Sequence, residues 1–575
     1  MGLFNSALQI GRSALMGYQG ALQVIGSNIS SAGSTDYTRL SPDLTPLQGG
    51  LAGAVQPGAG VTLSAIQRNI DEALEGRVRL AIGSREAAAT QQAALAQVEA
   101  VVADFGGADV SARLGAFFGT FEELQNRPED TAIRDLAITS GVQLADSLHE
   151  LRKRFAALGE DLDGQIAEAV VNVDTLAQRI AGLNTEITAT EAGRDGLATG
   201  LRDQRDALLR ELSELIDVSV RAQPDGSLNV YIGSEALVQG NVARQLSIQQ
   251  KSDGVVTRTS VRFADTNSDV DVRGGRLAGL IVSRDEHAFG RIAAVDELAA
   301  ALIAEVNRIH ADGQGLAGLK TLTGTQDLLA TDAPLDGAVA GLPLTPRNGS
   351  FYVTVVDDQT QTPVAYRIDV NLGTGASAAT LQSLVDDINA RVDGVTASIT
   401  VDNRVSFVAD AGVTFTFGHD GQVARQDTSQ VLAALGLNSF FTGTDAANIA
   451  VNGAVIAAPS RLAASSVFIQ GDGVNAGRIA ALATSVSESL TGFSLMDAYN
   501  AIASSIAVDG AAANDAAEVA DAILSSLTLQ KESISGVSLD EEAIALVKYE
   551  RAFQGASRFI SVVDDLLEQL VLILQ

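Results

Sequence analysis

Cysteine is absent from the 575 residues, which excludes disulfide bonds and thiolate metal sites. Basic residues are scarce: 39 Lys and Arg stand against 70 Asp and Glu, for a net charge of −31. Affinity for phosphate backbones depends on Lys and Arg replacing condensed counterions, so no nucleic-acid or anionic-membrane partner is expected. Long apolar runs are also missing. The most apolar stretch, Leu570 to Leu574, follows Asp564, Asp565 and Glu568 and falls far short of the ~20 residues that span a bilayer. Met1 to Ile10 has no basic segment leading into an apolar run and no small-residue cleavage site, so no removable signal peptide is expected.

Residues that carry chemistry are equally sparse. The four histidines, His149, His287, His310 and His419, include no pair at metal-binding spacing and read as surface or helix-end residues. Asp265-Thr266-Asn267-Ser268-Asp269 begins like a calcium loop, but Val270 occupies the obligatory glycine position and Arg276 that of the bidentate Glu. Gly471-Asp472-Gly473-Val474-Asn475-Ala476-Gly477 misses the dinucleotide fingerprint by one residue and follows no βαβ unit. A turn capping the next helix accounts for it better. No catalytic residue, metal site or cofactor is expected, and the chain does not read as an enzyme.

What is present is a packed-protein composition with an unusual arrangement at the ends. Hydrophobic residues make up 46% of the chain, enough for cores, and the length implies two to four domains. At the C-terminus Leu546, Tyr549, Phe553, Ala556, Ile560, Val563, Leu567, Leu570 and Leu574 alternate steps of three and four, a coiled-coil seam. Near the N-terminus Leu8, Leu15, Tyr18, Leu22, Ile25 and Ile29 fall on the same kind of seam, with Gly11 its one position lacking an apolar side chain. The two ends are expected to pair, with the rest of the chain inserted between them.

Ser538-Leu539-Asp540-Glu541 has the form of a capping box. A helix from Leu539 to Leu574 follows, about 54 Å long at 1.5 Å per residue. Phe559, Val562, Leu566, Val571, Leu572 and Ile573 lie outside its seam, so it must be covered on several sides. Gly11, Gly17, Gly20 and Gly26 weaken the N-terminal helix by about 1 kcal/mol each relative to Ala. Such termini suit ordering within an assembly; an ordinary antiparallel pair in a monomer is the plain alternative.

Between the ends, Ile66 to Ile216 reads almost entirely helical, with breaks at Gly106-Gly107, Arg127-Pro128 and Gly193 to Gly196. A small β excursion occupies about 220–272, and helix returns from Leu277 to His310. Strands are expected over Phe351–Val356, Val364–Val370, Ala397–Val401, Val405–Val408 and Val413–Phe417, interrupted by a helix over Ala379–Arg391. Helices resume around Gly477–Val486 and Asn514–Ile534. The fold class is mainly α with an α+β insertion: paired terminal coiled-coil helices, a long-helix-bundle body and an inserted β-rich outer domain. The terminal domain comprises residues 1–40 and 538–575, the body 41–319 and 428–537, and the insertion 320–427.

Ser27-Asn28-Ile29, followed by Tyr37-Thr38-Arg39, resembles the N-terminal signature of the proteins that build the axis of the bacterial flagellum, with Ser31 and Ser34-Thr35-Asp36 departing from its usual form. Gly536-Val537-Ser538-Leu539-Asp540-Glu541-Glu542, with Tyr549 and Ala552-Phe553-Gln554, closely resembles their C-terminal ending. In the middle, Phe117-Phe118, Pro128 to Arg134, Leu183 to Ile187, Leu201-Arg202-Asp203-Gln204-Arg205-Asp206 and Leu435 to Gly443 are similar to the flagellar hook-associated protein 1 family. Taken as charges on an exposed helix, Arg202 and Asp206, or Asp206 and Arg210, would form i,i+4 pairs worth only ~0.2 to 0.5 kcal/mol each.

The resemblance implies a structural protein that polymerises as a ring or tube at the hook-filament junction. Its implied partners are further copies of itself, the hook protein, a second hook-associated junction protein, and a cytoplasmic export chaperone on the C-terminal helix. It implies flagellar type III export to an extracellular position, which the absence of cysteine suits. Hook, rod or filament subunits are the nearest rivals. A secreted self-assembling adhesin, with a ligand-binding β insertion, is the alternative of another class.

Overall fold

The computed structural model describes residues 2–34, 36–48, 58–103, 109–191, 196–252, 254–373, 378–467, 469–487 and 489–574. The chain opens with α1 (Gly2–Ser31), the strands β1 (Leu40–Gln48) and β2 (Gly58–Arg68), and the helices α2 (Glu72–Ala103), α3 (Val110–Asn126), α4 (Thr131–Glu191) and α5 (Thr199–Leu215). There follow β3 (Ser219–Ala222), β4 (Leu228–Ile232), β5 (Glu235–Gln239), β6 (Val242–Ala243), β7 (Leu246–Ser252) and β8 (Thr257–Phe263). Next come α6 (Gly275–Val282), a π-helical stretch Ser283–Phe289 and α7 (Gly290–Asp312).

The insertion carries β9 (Thr321–Thr323), β10 (Gly349–Asp357), β11 (Pro363–Val370), α8 (Leu381–Arg391), β12 (Val395–Ile399), β13 (Val405–Ala409) and β14 (Val413–Phe417). The chain then returns through α9 (Val431–Ala434), β15 (Phe441–Thr442), β16 (Ala450–Val451), α10 (Gly453–Ala457) and α11 (Val474–Ala481). It closes with α12 (Leu495–Ser535) and α13 (Leu539–Leu574). Gly106-Gly107 and Gly193 to Asp195 lie outside the described residues.

These elements form two compact units, each built from separate stretches of chain. The first contains residues 1–94, 161–284 and 511–575; the second contains 95–160 and 285–510, the insertion included. In the first, an antiparallel hairpin of β1 and β2 packs on α1. Residues 58–65 and 40–48 thus form strands in a region where no sheet is expected from the sequence, and Ile66 to Arg68 belong to β2 rather than to a helix. Gly60, at φ +110°, approaches Ser13 and the Ile10 carbonyl so closely that only glycine fits. The sheet β3-β4-β5-β6 and the ribbon β7-β8 make up the predicted β excursion.

In the second unit, β11-β10-β14 and β12-β13-β9 form two antiparallel sheets. Alternation in β10 and β12–β14 turns Phe351, Val353, Ala397, Phe407, Phe415 and Phe417 into one core with α8. Phe407, Phe415 and Phe417 pack at 5.7–5.8 Å between ring centroids.

Candidate functional site: the joined chain ends

Antiparallel packing joins α1 to α13. A side chain at Gly11 would lie 2.5 Å from Ile560 Cγ1, so the gap in the N-terminal seam is filled by Ile560 of α13. Gly17 and Gly20 face Leu44 and Leu63 of the hairpin in the same way. The cost of these glycines to helix propensity is offset by close packing.

Of the predicted seam residues, Ile25 and Val563 are buried. Leu8, Leu15, Tyr18, Leu22, Tyr549, Phe553, Ala556, Ile560 and Leu567 are partly buried, while Ile29 and Leu546 are exposed. The side chains of Leu570 and Leu574 lie outside the described residues. At about 100° per residue, Val562 points away from Leu546, Phe553 and Ile560. It shares this outer face with Ile544, Val547 and Leu566, and all four are exposed, Ile544 at 72% and Val562 at 55%. Arg551 and Arg558 lie on the same side.

The pair is fastened by a buried polar clasp. Asn28 donates from Nδ2 to Leu40 O at 2.8 Å and to Glu542 Oε2 at 2.9 Å. Its Oδ1 accepts from Leu40 N at 3.0 Å and from the Tyr37 hydroxyl at 2.8 Å, so the whole amide is satisfied. Glu542, fully buried, accepts from Arg39 Nε at 2.8 Å. Arg39 Nη1 also meets Glu541 at 2.7 Å, and the Arg39 backbone N–H donates to Ser535 O at 3.0 Å. Ser27 Oγ lies 3.3 Å from the Tyr37 hydroxyl, whose pKa burial raises. Ser538 Oγ accepts from Glu541 N–H at 3.5 Å, the serine half of the predicted capping box, while the Glu541 carboxylate is turned to Arg39 of the clasp.

The Leu201–Asp206 segment proves to be part of this network, and the i,i+4 pairs anticipated for it do not form. Asp203 and Asp206 both hold Arg68 on β2, and Arg68 Nη2 donates to Thr38 at 3.3 Å, beside Tyr37 and Arg39. Burial works against the Arg68 charge, yet the Asp206 and Asp203 carboxylates hold its pKa above the ordinary value. For Asp203, burial outweighs Arg68 and raises the pKa.

Arg205 is buried, with Nη1 on Asn184 Oδ1 at 2.9 Å and Gly226 O at 3.0 Å, and burial lowers its pKa to about 10. Arg202 pairs with the buried Glu191, whose pKa that hydrogen bond lowers, and Arg210 pairs with Asp36. Gln204 is exposed. A helix of charged residues one turn apart reads as solvated until the buried partners, Arg68 and Asn184, are placed opposite it. Arg68 carried no sequence signal, whereas Glu542 stood in the C-terminal signature.

The other signature segments meet inside the second unit. Phe117 and Phe121 of α3 pack on Phe440 and Phe441 at 5.6–5.7 Å. Asn307 binds both backbone N–H groups of Phe440 and Phe441 at 2.9 Å and donates to Phe441 O at 2.8 Å. His310 is fully buried, bonded to Asn438 O at 2.7 Å and accepting from Ala463 N at 3.0 Å. His419 is buried as well, against Thr416. His310 lies in the last turn of α7, a helix-end position as expected, but neither histidine is on the surface, and burial pushes both pKa values down to about 4. Buried Arg134 donates to Pro128 O at 2.7 Å and Leu462 O at 2.6 Å, and burial lowers its pKa to about 10. Asp472 accepts from Ser466, Val467 and Val474 N–H groups, making the turn before α11 anticipated for that glycine-rich segment.

Residues 95–326 match the model for the flagellar hook-associated protein FlgK helical domain, and 532–572 that for the flagellar basal body rod FlgEFG protein C-terminal region. The helical body and the clasped terminus thus belong to a structural component of the bacterial flagellum. Flagellar hook-associated protein 1 of Escherichia coli is 24% identical over 99% of both chains, and that of Bacillus subtilis 21% identical over 98% of this chain and 97% of its own. The Salmonella typhimurium protein of the same name is 27% identical over 55% of this chain and 58% of its own. The chain is thus similar over nearly its whole length to flagellar hook-associated protein 1. The adhesin alternative finds no support among these relatives.

Proposed function

We infer that this protein is a structural adaptor of the hook-filament junction, polymerising through its joined ends and performing no catalysis. The observation that supports this reading is the geometry of α13. One face is seated on α1 and fixed by the clasp, while Ile544, Val547, Val562 and Leu566 leave the opposite face apolar and exposed. At roughly 25 cal/mol per Å² of apolar surface removed from water, helices of neighbouring copies gain by covering that face. Further copies, the hook protein and a second hook-associated junction protein are the assembly partners. Before export through the flagellar type III apparatus to the cell exterior, a cytoplasmic chaperone shields the same face.

The test is motility and filament retention in cells carrying Leu546→Asp and Phe553→Asp, with the medium assayed for secreted protein. Loss of filaments, with mutant protein and unpolymerised flagellin both outside, is the expected result. Normal filaments would remove the terminal seam from the mechanism.

A further inference from the structure

In the first unit α2 and α12 run antiparallel and are fastened at three levels: Gln92 donates to Asn514 at 2.8 Å, Arg85 meets Asp521 at 3.5 Å and Lys531 meets Glu75 at 3.3 Å. Leu74, Val78, Ala81 and Leu527 form the core between them. Beside that core a groove of about 370 Å³ runs along the two helices. Ala81 and Ser84 on one side, and Ala516 and Ala520 on the other, are too small to fill it. Val519 and Ile523 also line it, and both are exposed, at 59% and 51%. Apolar side chains left in water along a concave surface mark a place where another molecule docks.

The same unit carries a surface of matching pattern. On α12, Asp515, Val519 and Ile523 follow one another at four-residue intervals, and on the outer face of α13 Arg558, Val562 and Leu566 do the same. Rows of this kind interlock where two helices cross at about −50°, each step being about 6 Å of helix. A carboxylate then meets a guanidinium at one end, and apolar side chains meet behind them. The charges are available: Asp515 and Arg558 are exposed, and neither has an ion-pair partner among the described residues. Their surroundings agree in sign. Glu518 stands near Asp515, whereas Lys548 and Arg551 share the outer face of α13 with Arg558, and Asp565 lies at its border. Three cations on one helix face are a local exception in a chain of net charge −31. A surface ion pair adds little affinity, but opposite signs set the register and exclude wrong pairings.

We propose that the groove between α2 and α12 of one copy receives the outer face of α13 from a second copy, with Arg558 against Asp515 and with Val562 and Leu566 against Val519 and Ile523. All four apolar side chains are exposed in the single chain, so groove and helix do not cover each other within it. They are different surfaces of one chain, which makes the contact heterologous. A heterologous contact repeats from copy to copy and closes into a ring or extends as a helical tube. The inference rests on the self-assembling reading above and adds to it the surface on which α13 docks.

The chain has no cysteine, so Val519→Cys with Val562→Cys in one full-length chain places its only two thiols. Flagella sheared from cells carrying this variant are oxidised and run on a non-reducing gel. The expected result is a ladder of dimers and higher multimers, absent with either substitution alone and when Val171→Cys, at an exposed position on α4, replaces Val519→Cys. Recovery of the variant from flagella as monomer only overturns the groove and leaves the adaptor reading standing. Absence of the parent chain from flagella overturns that reading, and the groove with it. If the paired thiols keep the chain out of flagella, the charges carry the same test. Asp515→Arg and Arg558→Asp should each lower the number of retained filaments at least about fivefold through like-charge repulsion, and the two together should restore it. Single variants equal to the parent, or a double variant no better than either single one, overturn the proposal.

Discussion

The clasp in the first unit and the aromatic hub in the second use the same device, an asparagine amide binding backbone on both its sides, to different ends. Asn307 ties Phe440 and Phe441 into a core closed on every side. Asn28 ties α1 to α13 through Glu542, but the helix it anchors carries an uncovered apolar face. The hub is complete within one chain. The clasp fixes the presentation of a helix face that the described residues leave uncovered.

The largest expected effect is in the hub. Phe440→Ala removes a buried ring packed against Phe117, Phe121, Phe441 and His310, and should destabilise the second unit by about 3–5 kcal/mol. Urea unfolding followed by circular dichroism measures this; a loss below 1 kcal/mol would mean the hub is loosely packed. Asn28→Ala comes next, at about 1–3 kcal/mol, because Leu40 N and O and one Glu542 oxygen lose their partner without gaining water. Hydrogen exchange should then rise in the first turns of α13 and not in α7.

Acid separates the two regions further. His310 and His419 have folded pKa values near 4, below the ordinary 6.5. Between those values the unfolded chain binds more protons, so stability falls as pH drops from 6.5 towards 4, by up to about 1.4 kcal/mol per pH unit for each imidazole. Asp312 acts in the opposite sense: its raised pKa makes the folded state bind the extra proton between 3.8 and about 7, so acid favours folding through that group. Asp312→Asn should therefore steepen the acid-induced loss, since the Asn oxygen can still accept from Asp427 N–H. An unchanged slope would show that Asp312 is ionised across this range.

Periodicity and strand-forming composition made the helices and the insertion legible: in Val364–Val370 the residues Ile368 and Val370 turn to a buried face, and in Val413–Phe417 the β-branched and aromatic run ends in three buried residues. The hairpin of β1 and β2 was not, since its pattern of partly buried residues lacks a buried face that would mark it. The terminal signatures pointed to Asn28, Tyr37 and Arg39, but the sequence could not pair them with Glu542, more than five hundred residues away, or bring Arg68 to Asp203. The burial of His310 and His419 was not legible for a related reason: a lone histidine shows its burial only when the backbone groups that satisfy it, at Asn438, Ala463 and Gly421, are in place.

The smallest effect on the isolated chain is the sharpest measure of the contrast. Val562 and Leu566 are exposed on α13, so exchanging them for Ser removes little that folding had buried. The monomer should change by no more than about 0.5 kcal/mol. In an assembly covering that face, each side chain contributes on the order of 1–2 kcal/mol per copy, and the loss is repeated in every subunit. Thermal unfolding of the purified double variant should therefore match the parent, while the cells fail to retain filaments. A fall in monomer stability comparable to that of Asn28→Ala would mean that α13 is already covered within its own chain, and the difference between hub and clasp would disappear.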